Sequence, residues 1–174
     1  TALVCNDPVV VLEHVDLYTS SGMGPVEDYD YYLPVGKAAL RRSGDDVTII
    51  SYLAMTTYVL QAIDEVNSVD ADVIDLRWLD RASIDWDTIG ESIKKTNNVL
   101  IAEQGALGTS YGGWLADEIQ RRFFDWLDQP VQRVTGAVGI FRGADDSYGN
   151  YKGDGYAATA RVTGLPYKNC LLYT

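Results

Sequence analysis

At 174 residues, with 47% apolar and 22% charged side chains, the chain has the size and composition of one water-soluble globular domain. No apolar run reaches the ~18 residues of a membrane-spanning helix, and no basic region followed by an apolar core marks a signal peptide. A net charge of −11 repels phosphate, which argues against nucleic acid and anionic membranes and favours a basic protein partner, although an acidic surface also simply aids solubility.

The chain begins without Met and reads as a fragment. Its two cysteines, Cys5 and Cys170, lie near opposite ends. They make neither a metal-ligand spacing nor a disulfide framework, and a reducing compartment fits them best. PVVVLEH (residues 8–14) reads as a strand closed by His14, the single histidine. With no placed Ser or reactive Cys beside it, His14 supports no catalytic triad and reads first as structural. SGMGPVEDYDYYLP (residues 21–34) is a linker rich in Gly, Pro, Asp and Tyr. RRSGDD (residues 41–46) is a turn between strands with Gly44 at its tip.

From there strands and helices alternate. DVTIISY (residues 46–52) is a β-branched, apolar, buried strand. Residues 55–66 carry Val59, Ala62, Ile63 and Val66 at helical spacing, and DVIDL (residues 72–76) is the next strand. DWDTIGESIKK (residues 85–95) is a helix with Asp85 and Asp87 in its first turn and Lys94 and Lys95 in its last, the order that suits the helix dipole. Trp78 and Trp86 flank DRAS and read as core or interface residues. Residues 98–103 form a third strand ending in Glu103. Residues 111–127 form the longest helix, with Leu115, Ile119, Phe123 and Trp126 as its buried stripe and Asp117 and Glu118 placed to pair with Arg121 and Arg122. VQRVT (residues 131–135) is a last strand. This rhythm predicts right-handed crossovers and a three-layer α/β/α sandwich around a mostly parallel sheet.

The glycine loop GALGTSYGG (residues 105–113) sits at a strand's carboxyl end, where such folds bind ligands. Its spacing fits neither GxGxxG nor a P-loop, and no Lys follows the glycines. Glu103 beside it would repel an anion. The reading preferred here is close backbone passage, with Thr109 or Ser110 capping the helix.

Three stretches together resemble a known family: residues 32–52 (YLPVGKAALRRSGDDVTIISY), 71–105 (ADVIDLRWLDRASIDWDTIGESIKKTNNVLIAEQG) and 110–136 (SYGGWLADEIQRRFFDWLDQPVQRVTG). The order V-I-D-L-R, S-I-K-K-T, an acid and glycines before a helix, then D-x-P-V-x-R-V-T-G is similar to the C-terminal, transketolase-like domain of the β subunit of thiamine-diphosphate-dependent 2-oxoacid dehydrogenases, nearest to the pyruvate type. PVVVLEHVDLY (residues 8–18) looks like the last strand of the preceding pyrimidine-binding domain. The resemblance thus divides the chain into residues 1–35, that strand and a linker; residues 36–136, the transketolase C-terminal-like domain; and residues 137–174, a divergent tail expected to be mobile.

The family resemblance implies oxidative decarboxylation of pyruvate, with acetyl groups passed to a lipoyl acyltransferase. It also implies an α-two β-two heterotetramer, formed with the α subunit and a second β subunit. Thiamine diphosphate and magnesium would be gripped by domains absent from this chain, together with the activating glutamate. No catalytic, cofactor or metal ligand is therefore assigned, and the chain alone is expected not to decarboxylate. The domain's implied role is subunit assembly and docking of the basic binding domain of dihydrolipoyl acyltransferase, at Asp128 in the D-x-P-V turn and more weakly at Asp125. Tyr29, Tyr31 and Tyr32 would pack along a partner subunit. The implied location is the cytoplasm, or the mitochondrial matrix in a eukaryote. The alternatives are a non-catalytic scaffold domain, or the matching domain of an acetoin or branched-chain oxoacid dehydrogenase or of transketolase.

The tail departs from the family's proline-rich loop and final helix: it holds six glycines, five tyrosines and the single proline Pro166 in 38 residues. Gly153-Asp154-Gly155 opens a diphosphate–magnesium motif but lacks its paired asparagine, and DDSYGNYKGD lacks the acid ladder of a calcium loop.

Overall fold

Neighbouring isoleucines in one strand must face opposite ways, so a run such as VTIIS is stable only where both faces of the sheet are covered. That is what the computed structural model shows, describing residues 1–22, 24, 27–28, 31–105, 109–142 and 156–164, with side chains described as far as Thr135. The sheet is built from β1 (Ala39–Arg42), β2 (Val47–Ser51), β3 (Ala71–Asp75), β4 (Val99–Gln104), β5 (Gln132–Arg142) and β6 (Tyr156–Gly164). Its strand order is β1-β3-β2-β4-β5-β6. The β2–β3, β2–β4 and β4–β5 ladders are parallel, while β1 and β6 pair antiparallel at the edges.

Three helices cover the sheet: α1 (Ala54–Val66), α2 (Trp86–Thr96) and α3 (Tyr111–Phe123). Ile49, Val59, Ile63, Ala71, Val73 and Ala102 make the core beneath α1. On the other face Ile50, Ile74, Ile89, Ile93, Ile101, Leu115 and Ile119 lie with α2 and α3, all at 0% exposure. The expected three-layer α/β/α sandwich with a mostly parallel sheet is therefore present.

Several elements differ from their reading in the sequence. Val66 and Ala62 are exposed, because α1 is the one α-helix on its face among the described residues and only the narrower stripe of Thr56, Val59 and Ile63 meets the strands. Helix α3 stops at Phe123 and tightens into a 3-10 turn, Phe124–Trp126. The change from 3.6 to 3.0 residues per turn rotates Trp126 out of the buried stripe, and it is 47% exposed. Arg41 and Arg42 end β1 rather than sit in a turn. Gly44 is required by close passage, since a Cβ there would collide with the backbone of Asp70 and Ala71. Residues 8–14 form no strand, for a strand needs a neighbour to take its N–H and C=O groups and none is described beside them. The last strand runs past Thr135 to Arg142 and ladders with β6 from Val134↔Gly164 to Arg142↔Tyr156. Residues 143–155, with Gly153-Asp154-Gly155 and all of the calcium-like run, lie outside the described residues, as do residues 165–174 with Cys170.

At the amino end of the sheet a buried polar network fastens α2. Asp72, 2% exposed, accepts from Ser92 Oγ at 2.6 Å, Lys95 Nζ at 2.7 Å and Gly44 N at 2.9 Å. Thr48 Oγ1 shares hydrogen bonds with Ser92 at 2.6 Å and Thr96 at 2.7 Å. Burial of Asp72 disfavours its charge, but the bonds from Lys95, Ser92 and Gly44 outweigh it and hold the carboxyl below its ordinary 3.8. Asp85 works likewise at the other end of α2, capping Thr88 N at 3.3 Å and accepting from Ala38 N at 3.1 Å.

A lowered folded-state pKa gives stability that is complete above pH 3.8 and is lost as the pH falls through the folded value. Urea unfolding across pH 2 to 7 should therefore show stability dropping below about pH 4, and Asp72→Asn should flatten that drop. Ser92→Ala should cost about 1–3 kcal/mol at neutral pH, because it leaves buried partners unbonded.

Candidate functional site

The winding β3-β2-β4-β5 is doubly wound: the chain leaves β2 over one face through α1 and returns over the other through α2 and α3. Such a sheet opens a crevice at the carboxyl ends of the two strands where the direction reverses, here β2 and β4, and ligands of doubly wound folds sit there. In this chain the crevice is filled by its own side chains. Tyr52 follows β2, Glu103 lies near the end of β4, and the Tyr52 hydroxyl donates to Glu103 Oε2 at 3.0 Å. Burial, then the Glu103 charge, pushes the Tyr52 phenol well above its ordinary value of 10.0. Tyr111 stands edge-on to Tyr52 at 6.1 Å, and burial raises its phenol to about 12, with Arg81 opposing and Asp80 assisting.

Glu103 has 0% exposure. Its carboxylate accepts from Ser110 Oγ at 2.7 Å and from Gly112 N at 2.7 Å, and Arg133 Nη2 of β5 lies 3.6 Å away. Arg133 also donates to Ser110 Oγ at 3.1 Å. The helix N-terminus that could have bound an anion is thus occupied by an internal carboxylate. The capping expected of Ser110 is corrected accordingly: as N-cap residue it makes no side-chain cap bond and donates to Glu103 instead. Gly112 is glycine because any Cβ would overlap the Glu103 carboxylate. Part of the glycine loop, residues 106–108, lies outside the described residues. The signal for this arrangement was in the sequence, an acid ending an apolar strand and glycines at a helix start, but its partners Tyr52 and Arg133 are 51 and 30 positions away (103 − 52 and 133 − 103).

The two acids singled out for docking lie elsewhere. Asp125 is in the 3-10 turn after α3 and Asp128 follows it; both are exposed, and the fold places them on one turn. The Asp128 backbone N–H donates to the Asn97 carbonyl at 3.0 Å, which ties that turn to the end of α2. Arg121 and Arg122 pair with Asp117 and Glu118 as their spacing predicted. Trp86 packs against Trp114 at 6.3 Å under the Arg122 guanidinium, a core-edge position, while Trp78 lines a cavity of about 1020 Å³ beneath the N-terminal segment with Tyr31 and Tyr32. Tyr29 lies outside the described residues. His14 Nδ1 accepts from Asp16 N at 3.2 Å and caps a short turn. Among the described residues no group of three or more His, Cys, Asp and Glu could hold a metal ion.

The fold and the filled crevice define a doubly wound α/β/α domain whose usual ligand position has become packing. The chain belongs to the transketolase C-terminal domain family, whose model matches residues 36–150. It is 38% identical over 137 residues to the β subunit of the pyruvate dehydrogenase E1 component of Cyanidium caldarium, covering 78% of this chain and 41% of that protein. The corresponding subunit of Rhizobium meliloti (strain 1021) is 36% identical over 75% of this chain and 28% of its own length. The 3-methyl-2-oxobutanoate dehydrogenase β subunit of Mycobacterium tuberculosis (strain ATCC 25618 / H37Rv) is 37% identical over 78% of this chain and 38% of that protein. Among solved structures, a split-gene transketolase described as an inactive β4 tetramer superposes with a TM-score of 0.51 at 27% identity, over 66% of this chain and 37% of that one. The chain spans less than half the length of these relatives.

Removing the Glu103 carboxylate should be costly, because Ser110, Gly112 N and the Tyr52 hydroxyl lose their acceptor and the half-buried Arg133 loses its counter-charge. Glu103→Ala is expected to lower stability by ~3–5 kcal/mol, and Gly112→Ala by about 1–3 kcal/mol through overpacking. Urea unfolding measures both, and a Glu103→Ala protein as stable as the parent would refute this account.

Proposed function

We propose that this chain is the C-terminal domain of the β subunit of a pyruvate dehydrogenase-type 2-oxoacid dehydrogenase, and that it serves subunit assembly and docking of the acyltransferase. The observation that carries the reading is the match to β subunits of that enzyme, at 38% and 36% identity over three quarters or more of this chain. The whole enzyme would decarboxylate pyruvate oxidatively and pass the acetyl group to a lipoyl acyltransferase. A branched-chain 2-oxoacid is the second reading, favoured by the 37% identity to a 3-methyl-2-oxobutanoate dehydrogenase subunit.

Thiamine diphosphate and magnesium belong, in this reading, to parts of the enzyme outside this chain. The described residues do not fit them: the helix N-terminus at the switch crevice holds the Glu103 carboxylate, which would repel a diphosphate. No catalytic step is derived through them, and this chain's residues act by assembly and binding.

The partner role is read at Asp128 and Asp125. Both carboxylates are exposed and neither makes a hydrogen bond or ion pair among the described residues, so both are available to a cationic partner. The net charge of −11 draws a basic domain from a distance, most strongly at low ionic strength. The α subunit and a second β subunit complete the proposed heterotetramer.

Calorimetric titration of this chain with the basic binding domain of a dihydrolipoyl acyltransferase tests the docking. Binding is expected at low salt, weakening by about tenfold or more as salt rises to ~0.15 M. Asp128→Lys should abolish it and Asp125→Lys should weaken it less. A folded chain that leaves the domain unbound at low salt overturns the docking role.

A further inference from the structure

The turn bearing Asp125 and Asp128 carries more than acids. Phe124 and Trp126, on either side of Asp125, are 67% and 47% exposed. Large rings within a charged rim are the groups that most often anchor a protein contact.

The turn is held on a fixed frame. Asn97, the left-handed C-cap of α2 with φ 57°, donates from Nδ2 to the Trp126 carbonyl at 2.7 Å, and its own carbonyl accepts from Asp128 N at 3.0 Å. Gln129 Nε2 donates to Asn98 Oδ1 at 2.7 Å on the far side. A turn already ordered loses little freedom when a partner arrives.

Charge bookkeeping around the turn is one-sided. Lys95 pairs with Asp72 and Asp45, Arg121 with Asp117 and Glu118, and Arg122 with Glu118. Lys94 is different: its Nζ lies 5.6 Å from the centre of the Trp126 ring and meets no acid among the described residues. One ring face of an exposed tryptophan is therefore already occupied by a cation, beside two acids that have none.

We infer that Phe124, Asp125, Trp126 and Asp128 form one docking patch for a lysine- or arginine-bearing polypeptide segment, and that Lys94 holds on the Trp126 ring the seat a cation of that segment takes. This rests on the docking reading above and adds to it two aromatic anchors and a resident cation. The occupant is a basic segment rather than a second copy of this patch, because a second copy would set Asp125 and Asp128 against like acids. Lys94 is exposed, so its ammonium leaves the ring for water without stranding a charge. It also sets a like charge in the path of the incoming cation, so its removal favours the partner.

The same basic binding domain serves as the probe, titrated calorimetrically against the whole chain. Lys94→Ala is the deciding variant, since an exposed side chain at a helix end can be removed without disturbing the core. It should tighten binding about threefold or more at low salt. Phe124→Ala and Trp126→Ala should each weaken it by roughly tenfold, as buried anchors do. Weaker or unchanged binding by Lys94→Ala overturns the resident-cation proposal. Aromatic variants that bind like the parent while Asp128→Lys still abolishes binding overturn the patch and leave acid-mediated docking standing. A parent chain that does not bind the domain overturns both readings together.

Discussion

A carboxylate with no access to water organises the carboxyl end of this sheet. Glu103 follows four apolar residues near the end of β4, and a buried charge is tolerated only when donors surround it. Three segments supply donors or counter-charge: Tyr52 after β2, Ser110 and Gly112 N at the start of α3, and the Arg133 guanidinium from β5. Each supplier is then constrained in turn. Gly112 can have no side chain, the Ser110 hydroxyl is drawn away from capping its own helix, and α3 can start only where its first N–H groups reach the acid. The crevice that doubly wound folds usually keep for a ligand is closed as a consequence.

The amino end of the sheet is pinned by a second buried acid, Asp72, through Ser92, Lys95 and Gly44. Between the two acids lies a continuous apolar layer of Ile50, Ile74 and Ile101, whose own packing has no directional preference. The polar ends therefore set where α2 and α3 lie along the strands, and the aliphatic middle supplies most of the driving force. Specificity and stability come from different residues of the same interface.

With the β2–β4 switch point committed to packing, the turn beyond α3 is one of the surfaces left for a partner. The turn after α3 leaves the stripe that would have buried it, and two aromatic rings and two acids with no partner among the described residues come to the surface together. The chain spans only 41% of one relative and 28% of another.

Periodicity in the chain was sufficient for β2, α1, β3, α2, β4 and α3, because burial on two faces or along one stripe writes itself into neighbouring residues. The order of motifs likewise carried the resemblance to the family, and the spacing of Asp117 and Glu118 to Arg121 and Arg122 sufficed for the ion pairs actually formed. The pairing of β1 against β3, the ladder of β5 with β6, the exposure of Trp126 and Val66, and the choice of Glu103 over Ser110 at the head of α3 were not legible. Each depends on a partner 14 or more positions away or on where a helix meets the edge of the sheet. A local pattern records which side chains must leave water, but not which distant group will satisfy a buried charge once they have. That choice is made when β2, β4 and β5 come side by side and bring Tyr52, Glu103 and Arg133 to one point.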